Sequence, residues 1–111
     1  MDNEIKKLLK DILICIDNIE TYIGTERSFA IYQTNFLLQD AVERNLITIG
    51  EAVNALLKRN SGIKRTDARK IVNARNKLTH GYDEIENVQV WNIIINSLPI
   101  LKSEAESLIN L

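Results

Sequence analysis

Proline occurs once and glycine four times in 111 residues. So few chain breakers leave little room for the many turns of an all-β fold. The single cysteine, Cys15, excludes an internal disulfide. It lies in an apolar helical stripe and is expected to be a small core residue, as unpaired cysteines usually are. No apolar run approaches the roughly 20 residues needed to span a bilayer, and no signal-peptide pattern is present. A soluble, cytoplasmic protein with no membrane role is therefore expected. Zinc-type Cys/His spacing, a glycine-rich phosphate loop, a nucleophilic Ser or Cys signature and internal repeats are all missing. No metal and no cofactor is implied. Histidine occurs once, at position 80.

What remains is 45% apolar and 26% charged, enough to bury a core and avoid disorder. The length suits one domain covering residues 1–111. Four amphipathic segments can be read from the apolar spacing. The first runs from about Asp2 to Ile23, with Ile5, Leu8, Leu9, Ile12, Ile16, Ile19 and Ile23 at three- and four-residue steps and Gly24-Thr25 as its stop. The second runs from about Ser28, a candidate cap, to Arg59. It is apolar on more than one side, so part of its surface is expected to pack outside its own chain. Asp40, Arg44 and Glu51 fall on one polar stripe of it, which as an ordinary surface salt-bridge ladder would contribute little. The third segment runs from about Thr66, a candidate N-cap, to His80. The fourth runs from about Glu86 to Leu111, carries Trp91 as a core anchor, and is expected to kink at Pro99.

The chemistry concentrates at the end of the third segment, in Arg75-x4-His80-x-Tyr82. Histidine can exchange a proton near neutral pH, arginine offers a permanent cationic fork for phosphate, and tyrosine supplies a hydroxyl. On one regular helix, Arg75 and His80 point roughly 140° apart, whereas Asn76 and His80 share a face. Arg75 joins the others only if the last turn distorts or a second copy of the motif faces the first. The bland alternative is a histidine favoured by the helix dipole; the bare spacing should arise by chance in roughly a few chains per thousand. Charge supports the sharper reading. The net charge is −1, yet the window from Lys58 to Lys77 carries eight cations and only Asp67, or +7 against −8 for the rest. A basic run beside a phosphate-competent group can steer a polyanion.

Three blocks in order extend this picture: Ala41-Val42-Glu43-Arg44-Asn45-Leu46 with Ile49-Gly50-Glu51-Ala52, then Arg75-Asn76-x3-His80-x-Tyr82, then Trp91 with Leu98-Pro99. Together they resemble HEPN domains, in particular the HepT-like ribonuclease toxins, over most of the chain. Where many members carry Pro and Trp before the motif helix, this chain has Ile63-Lys64-Arg65-Thr66. The resemblance implies an all-α, up-and-down four-helix bundle with a kinked last helix that dimerises and joins two motifs in one cleft. It implies a metal-independent endoribonuclease, with tRNA and mRNA both open as targets. It also implies a toxin opposed by a cognate minimal nucleotidyltransferase antitoxin that adds AMP to Tyr82.

On this reading Arg75 and His80 are catalytic, Asn76 and Tyr82 position the substrate, and Arg44 and Glu51 are weaker candidates at the cleft rim. Two other classes compete with it. One is a non-catalytic nucleotide- or RNA-binding module that docks a nucleotidyltransferase. The other is a plain helical interaction protein with a vestigial motif.

Overall fold

The computed structural model describes residues 2–59, 61–80 and 85–110, and for Arg65 and Thr66 the backbone alone. Every regular element among them is a helix. Helix α1 spans Asn3–Ile23. Asp2 caps it, its carboxylate accepting from the amides of Glu4 and Ile5, and Gly24 closes it at φ 73°, where a side chain would be strained. Leu9, Ile12, Ile16 and Ile19 are buried, each stabilising the fold by about 1.5–3 kcal/mol relative to exposure. Cys15 is buried among them, as its position implied.

The second predicted helix is two helices. Helix α2 spans Phe29–Thr34 and α3 spans Phe36–Leu57. Ser28 does cap the first, accepting from the Ile31 amide. The break falls at Asn35, whose backbone is extended. Two side-chain amides take over the hydrogen bonds that a continuous helix would make. Asn35 Oδ1 accepts from the Leu38 amide. Buried Gln39 Nε2 donates to the carbonyls of Tyr32 at 2.9 Å and Gln33 at 3.1 Å. Apolar periodicity alone does not reveal such a break, because α2 and α3 both keep helical spacing.

Helix α4 spans Arg65–His80 and so begins one residue before Thr66, the predicted cap. Ile71, Val72 and Ala74 carry its buried face. The last segment runs as α5, Asn87–Asn92, a π-helical turn over Ile93–Ser97, and α6, Leu98–Ile109. The kink expected at Pro99 takes the form of that turn. Leu98 N donates to Ile93 O, five residues back, and Pro99 follows at the start of α6. The wider turn relieves the clash of the proline ring with the preceding turn. Trp91 anchors this segment, its ring centroid 5.4 Å from Tyr32 and 5.9 Å from Phe29.

Cross-links give the helix directions. Asn18 Nδ2 donates to Asn45 Oδ1 at 3.1 Å, and Arg59 pairs with Glu4; both matches place α1 antiparallel to α3. The Lys64 amide, just before α4, donates to Glu104 in α6, and a short connection joins the end of α4 at His80 to the start of α5 at Asn87, so α4 runs antiparallel to the α5–α6 segment. The result is an up-and-down helical bundle. One of its ends gathers the last turn of α1, the start of α3, the end of α4 and the start of α5. His80 lies at that end.

Candidate functional site

The site is built on the contact between α3 and α4. Gly50, buried on α3, faces the stem of Arg75 on α4. A Cβ at position 50 would overlap Arg75 Cβ and lie 2.8 Å from its Cγ. A side chain there would force the two helices apart. The glycine therefore has a tertiary role: it lets α4 approach closely and fixes where the Arg75 guanidinium emerges.

The guanidinium is half-buried. Its Nη1 donates to Asn76 Oδ1 at 2.7 Å, while its Nε is buried with no hydrogen-bond partner among the described residues. The three ion pairs among those residues are Lys7–Asp11, Arg59–Glu4 and Lys102–Glu20. None involves Arg75, so its charge is not neutralised by a carboxylate there. An unneutralised arginine fork in a partly dry setting is well suited to an anionic group.

Helix α4 stays regularly helical through His80. The last turn does not distort to bring His80 round to Arg75, and the two side chains leave the helix roughly 140° apart. His80 is exposed, in the basic last turn with Lys77. Thr79 Oγ1 donates back to the Arg75 carbonyl at 2.9 Å, one turn earlier on the same helix. Asn76 is joined directly to Arg75 and is thus the motif residue the structure brings beside it. Tyr82 lies outside the described residues.

Arg44 and Glu51 are both exposed on α3. No ion pair joins Asp40, Arg44 or Glu51 to a described residue, so the salt-bridge ladder considered for this stripe does not form. Their levels differ. Gly50 lies against Arg75, and α3 runs antiparallel to α4, so the five residues from Arg75 to His80 match the five from Gly50 back to Asn45. Asn45 is therefore at the level of His80, about 7.5 Å along the bundle from Arg75, and Arg44 stands one residue beyond it. Glu51 is at the level of Arg75. Beyond Arg44, at the same end, Phe36 and Leu37 are 76% and 81% exposed. Such large apolar side chains side by side in the open mark a contact surface more often than a single exposed leucine does.

Sequence reasoning missed the packing role of Gly50; its signal was a glycine inside a strongly apolar helical pattern, which costs stability unless another backbone or stem approaches closely. Among the described residues no cluster of three or more His, Cys, Asp or Glu could hold a metal ion, and no helix is long and apolar enough to cross a membrane.

Residues 12–108 match the family described as ribonuclease HepT-like. The chain belongs to that family. A curated relative from Methanocaldococcus jannaschii, named "Putative RNase MJ0125", is 29% identical over 107 residues, covering 96% of this chain and 91% of that protein. No solved structure matches the chain. Membership in the HepT-like family gives a ribonuclease-type function and, with it, RNA as the class of substrate.

Proposed function

We propose that the chain is an endoribonuclease toxin whose active cleft is completed by a second copy of itself. One observation carries this reading: Arg75 is seated on Gly50 with no ion pair to a described carboxylate, while His80 leaves the same undistorted helix on another side. A phosphate clamp and a proton-transfer group so arranged converge when two α4 ends face each other. The exposed Phe36 and Leu37, at the His80 end, supply apolar surface for that contact. A two-fold axis between the copies delivers two histidines and two arginines to one cleft.

In that cleft the 2′-OH of RNA attacks the adjacent phosphorus. One His80 takes the 2′-OH proton. The other protonates the departing 5′-oxygen, leaving a 2′,3′-cyclic phosphate and a 5′-OH. Arg75 stabilises the charge that builds on the phosphorane oxygens, and Asn76 holds the guanidinium in place. Tyr82 positions RNA. The nucleophile belongs to the substrate and side chains move both protons, so the reaction runs without a metal. A cognate minimal nucleotidyltransferase antitoxin silences the enzyme by AMP transfer from ATP to the Tyr82 oxygen. Pyrophosphate leaves, the phenol loses its proton, and the new negative charge and bulk repel RNA as a phosphate would.

The test is incubation of wild-type and His80→Ala protein with total RNA in EDTA, followed by analysis of the product ends. Cleavage to cyclic phosphate ends by the wild type alone is the expected result. Equal cleavage by both removes His80 from the chemistry. No cleavage by either, with Tyr82 shown unmodified by mass spectrometry, favours a non-catalytic RNA-binding module.

A further inference from the structure

An open groove of about 510 Å³ runs between α4 and the wall formed by α5 and the π turn. Lys70, Asn73 and Lys77 line it from α4, and Asn92 and Asn96 from the facing wall; among the described residues no acidic one lines it. Lys70 and Lys77 form no ion pair with a described residue. The three carboxamides likewise make no side-chain hydrogen bond within the described chain, unlike Gln39 and Asn45, which do. Two cations and a carboxamide on α4 thus face two carboxamides on the opposite wall, none of them paired by its side chain to a described residue.

The direction of the channel is informative. Asn73 and His80 are seven residues apart on a regular helix, which places them within roughly 20° on one stripe. Lys77 is one turn from His80 on nearly the same side. The groove wall therefore continues along α4 to His80, while Arg75 faces α3.

We propose that this groove is the track along which a single strand of RNA approaches His80. It rests on the ribonuclease reading for its destination. Lys70 and Lys77 bind backbone phosphates and Asn73, Asn92 and Asn96 hydrogen-bond to base edges, for which a carboxamide offers both a donor and acceptor. A single strand suits the reaction as well, since its bases can splay and their edges can be reached. No aromatic residue among the described ones lines the groove, so the affinity supplied by its described walls comes from phosphate contacts and hydrogen bonds. Binding is accordingly salt-dependent and only weakly sequence-selective.

The probe is a fluorescent single-stranded oligonucleotide with 2′-O-methyl sugars, which cannot be cleaved by 2′-OH attack. Its affinity is measured by anisotropy across a salt series, with melting curves for every variant. Lys70→Ala/Lys77→Ala is expected to flatten the slope of log affinity against log salt by about 1.4, two contacts at about 0.7 each. Asn73→Ala/Asn96→Ala weakens binding with the slope unchanged. The exposed α1 pair Lys6→Ala/Lys10→Ala leaves both unchanged. A Lys70/Lys77 variant with wild-type affinity and slope overturns the proposal. So does an equal loss in the α1 variant, which would show general surface electrostatics, and so does wild-type protein that binds no strand. Parallel cleavage of the matching 2′-OH strand separates the two readings. Binding through the groove without cleavage retains the track and removes the nuclease; cleavage undiminished by loss of both lysines retains the nuclease and removes the track.

Discussion

The stem of Arg75 crosses α3 at Gly50, the only residue of that helix without a side chain. Gly50→Ala should therefore destabilise the protein by about 1–3 kcal/mol from overpacking, less the 0.5–1 kcal/mol or so by which alanine favours a helix. Thermal melting measures this. Cleavage should fall further than the stability loss explains, because the guanidinium is displaced. An unchanged melting temperature with full activity would mean that the helices separate freely and that Gly50 does not set Arg75.

Arg75→Lys retains a cation but loses the fork and the bond to Asn76. On the proposed mechanism its cleavage rate should drop by roughly 10²-fold or more, the scale of losing a donor to a developing oxyanion. Wild-type rates would assign Arg75 to packing alone. His80→Ala, at an exposed position, should leave the melting temperature nearly unchanged, and surface substitutions usually shift stability by less than about 0.5 kcal/mol.

Leu37→Asp places a charge on a side chain that is 81% exposed. The fold should be retained while self-association weakens, and cleavage should fall in step with the dimer fraction in sedimentation at the assay concentration. A monomer that cleaves as well as wild type would contradict the shared cleft.

Burial, with the nearby Asp40 carboxylate second, raises the Glu43 carboxyl above its ordinary value. The folded state then holds this proton more tightly than the unfolded chain does. The residue lowers stability as pH rises from the usual carboxylate range through the raised folded value, and the loss persists above it. Glu43→Gln should melt higher than wild type at pH 7, with the gap closing as pH falls below the ordinary value of 4.5. A gap of constant size across that range would show that charge is not the cause.

The Tyr32 hydroxyl is buried with no hydrogen-bond partner among the described residues, and burial pushes its pKa well above the usual phenol range. Tyr32→Phe keeps the ring contact with Trp91 and removes an unsatisfied polar group whose burial costs about 1–3 kcal/mol. The variant should melt no lower than wild type. A clear drop would show that the hydroxyl has a partner after all.

The sequence by itself determined the helical class, the helix starts near Asp2 and Glu86 and the cap at Ser28, the burial of Cys15 and the end of α4 at His80. These follow from local physics: spacing at 3.6 residues per turn, caps and breakers act within a few residues. It also determined that Arg75 and His80 diverge, since a regular helix fixes that angle. The break at Asn35 was not legible, because it depends on Gln39 reaching back to the Tyr32 and Gln33 carbonyls in a folded corner. The π turn before Pro99 was legible only as a kink, since how a proline is accommodated depends on the surrounding packing. Only the tertiary structure decided that Gly50 is the seat of Arg75, that Arg44 stands within one residue of the level of His80, and that Lys70, Asn73 and Lys77 face Asn92 and Asn96. Each of these joins residues on different helices, and one helix carries no local signal for the register of its neighbour.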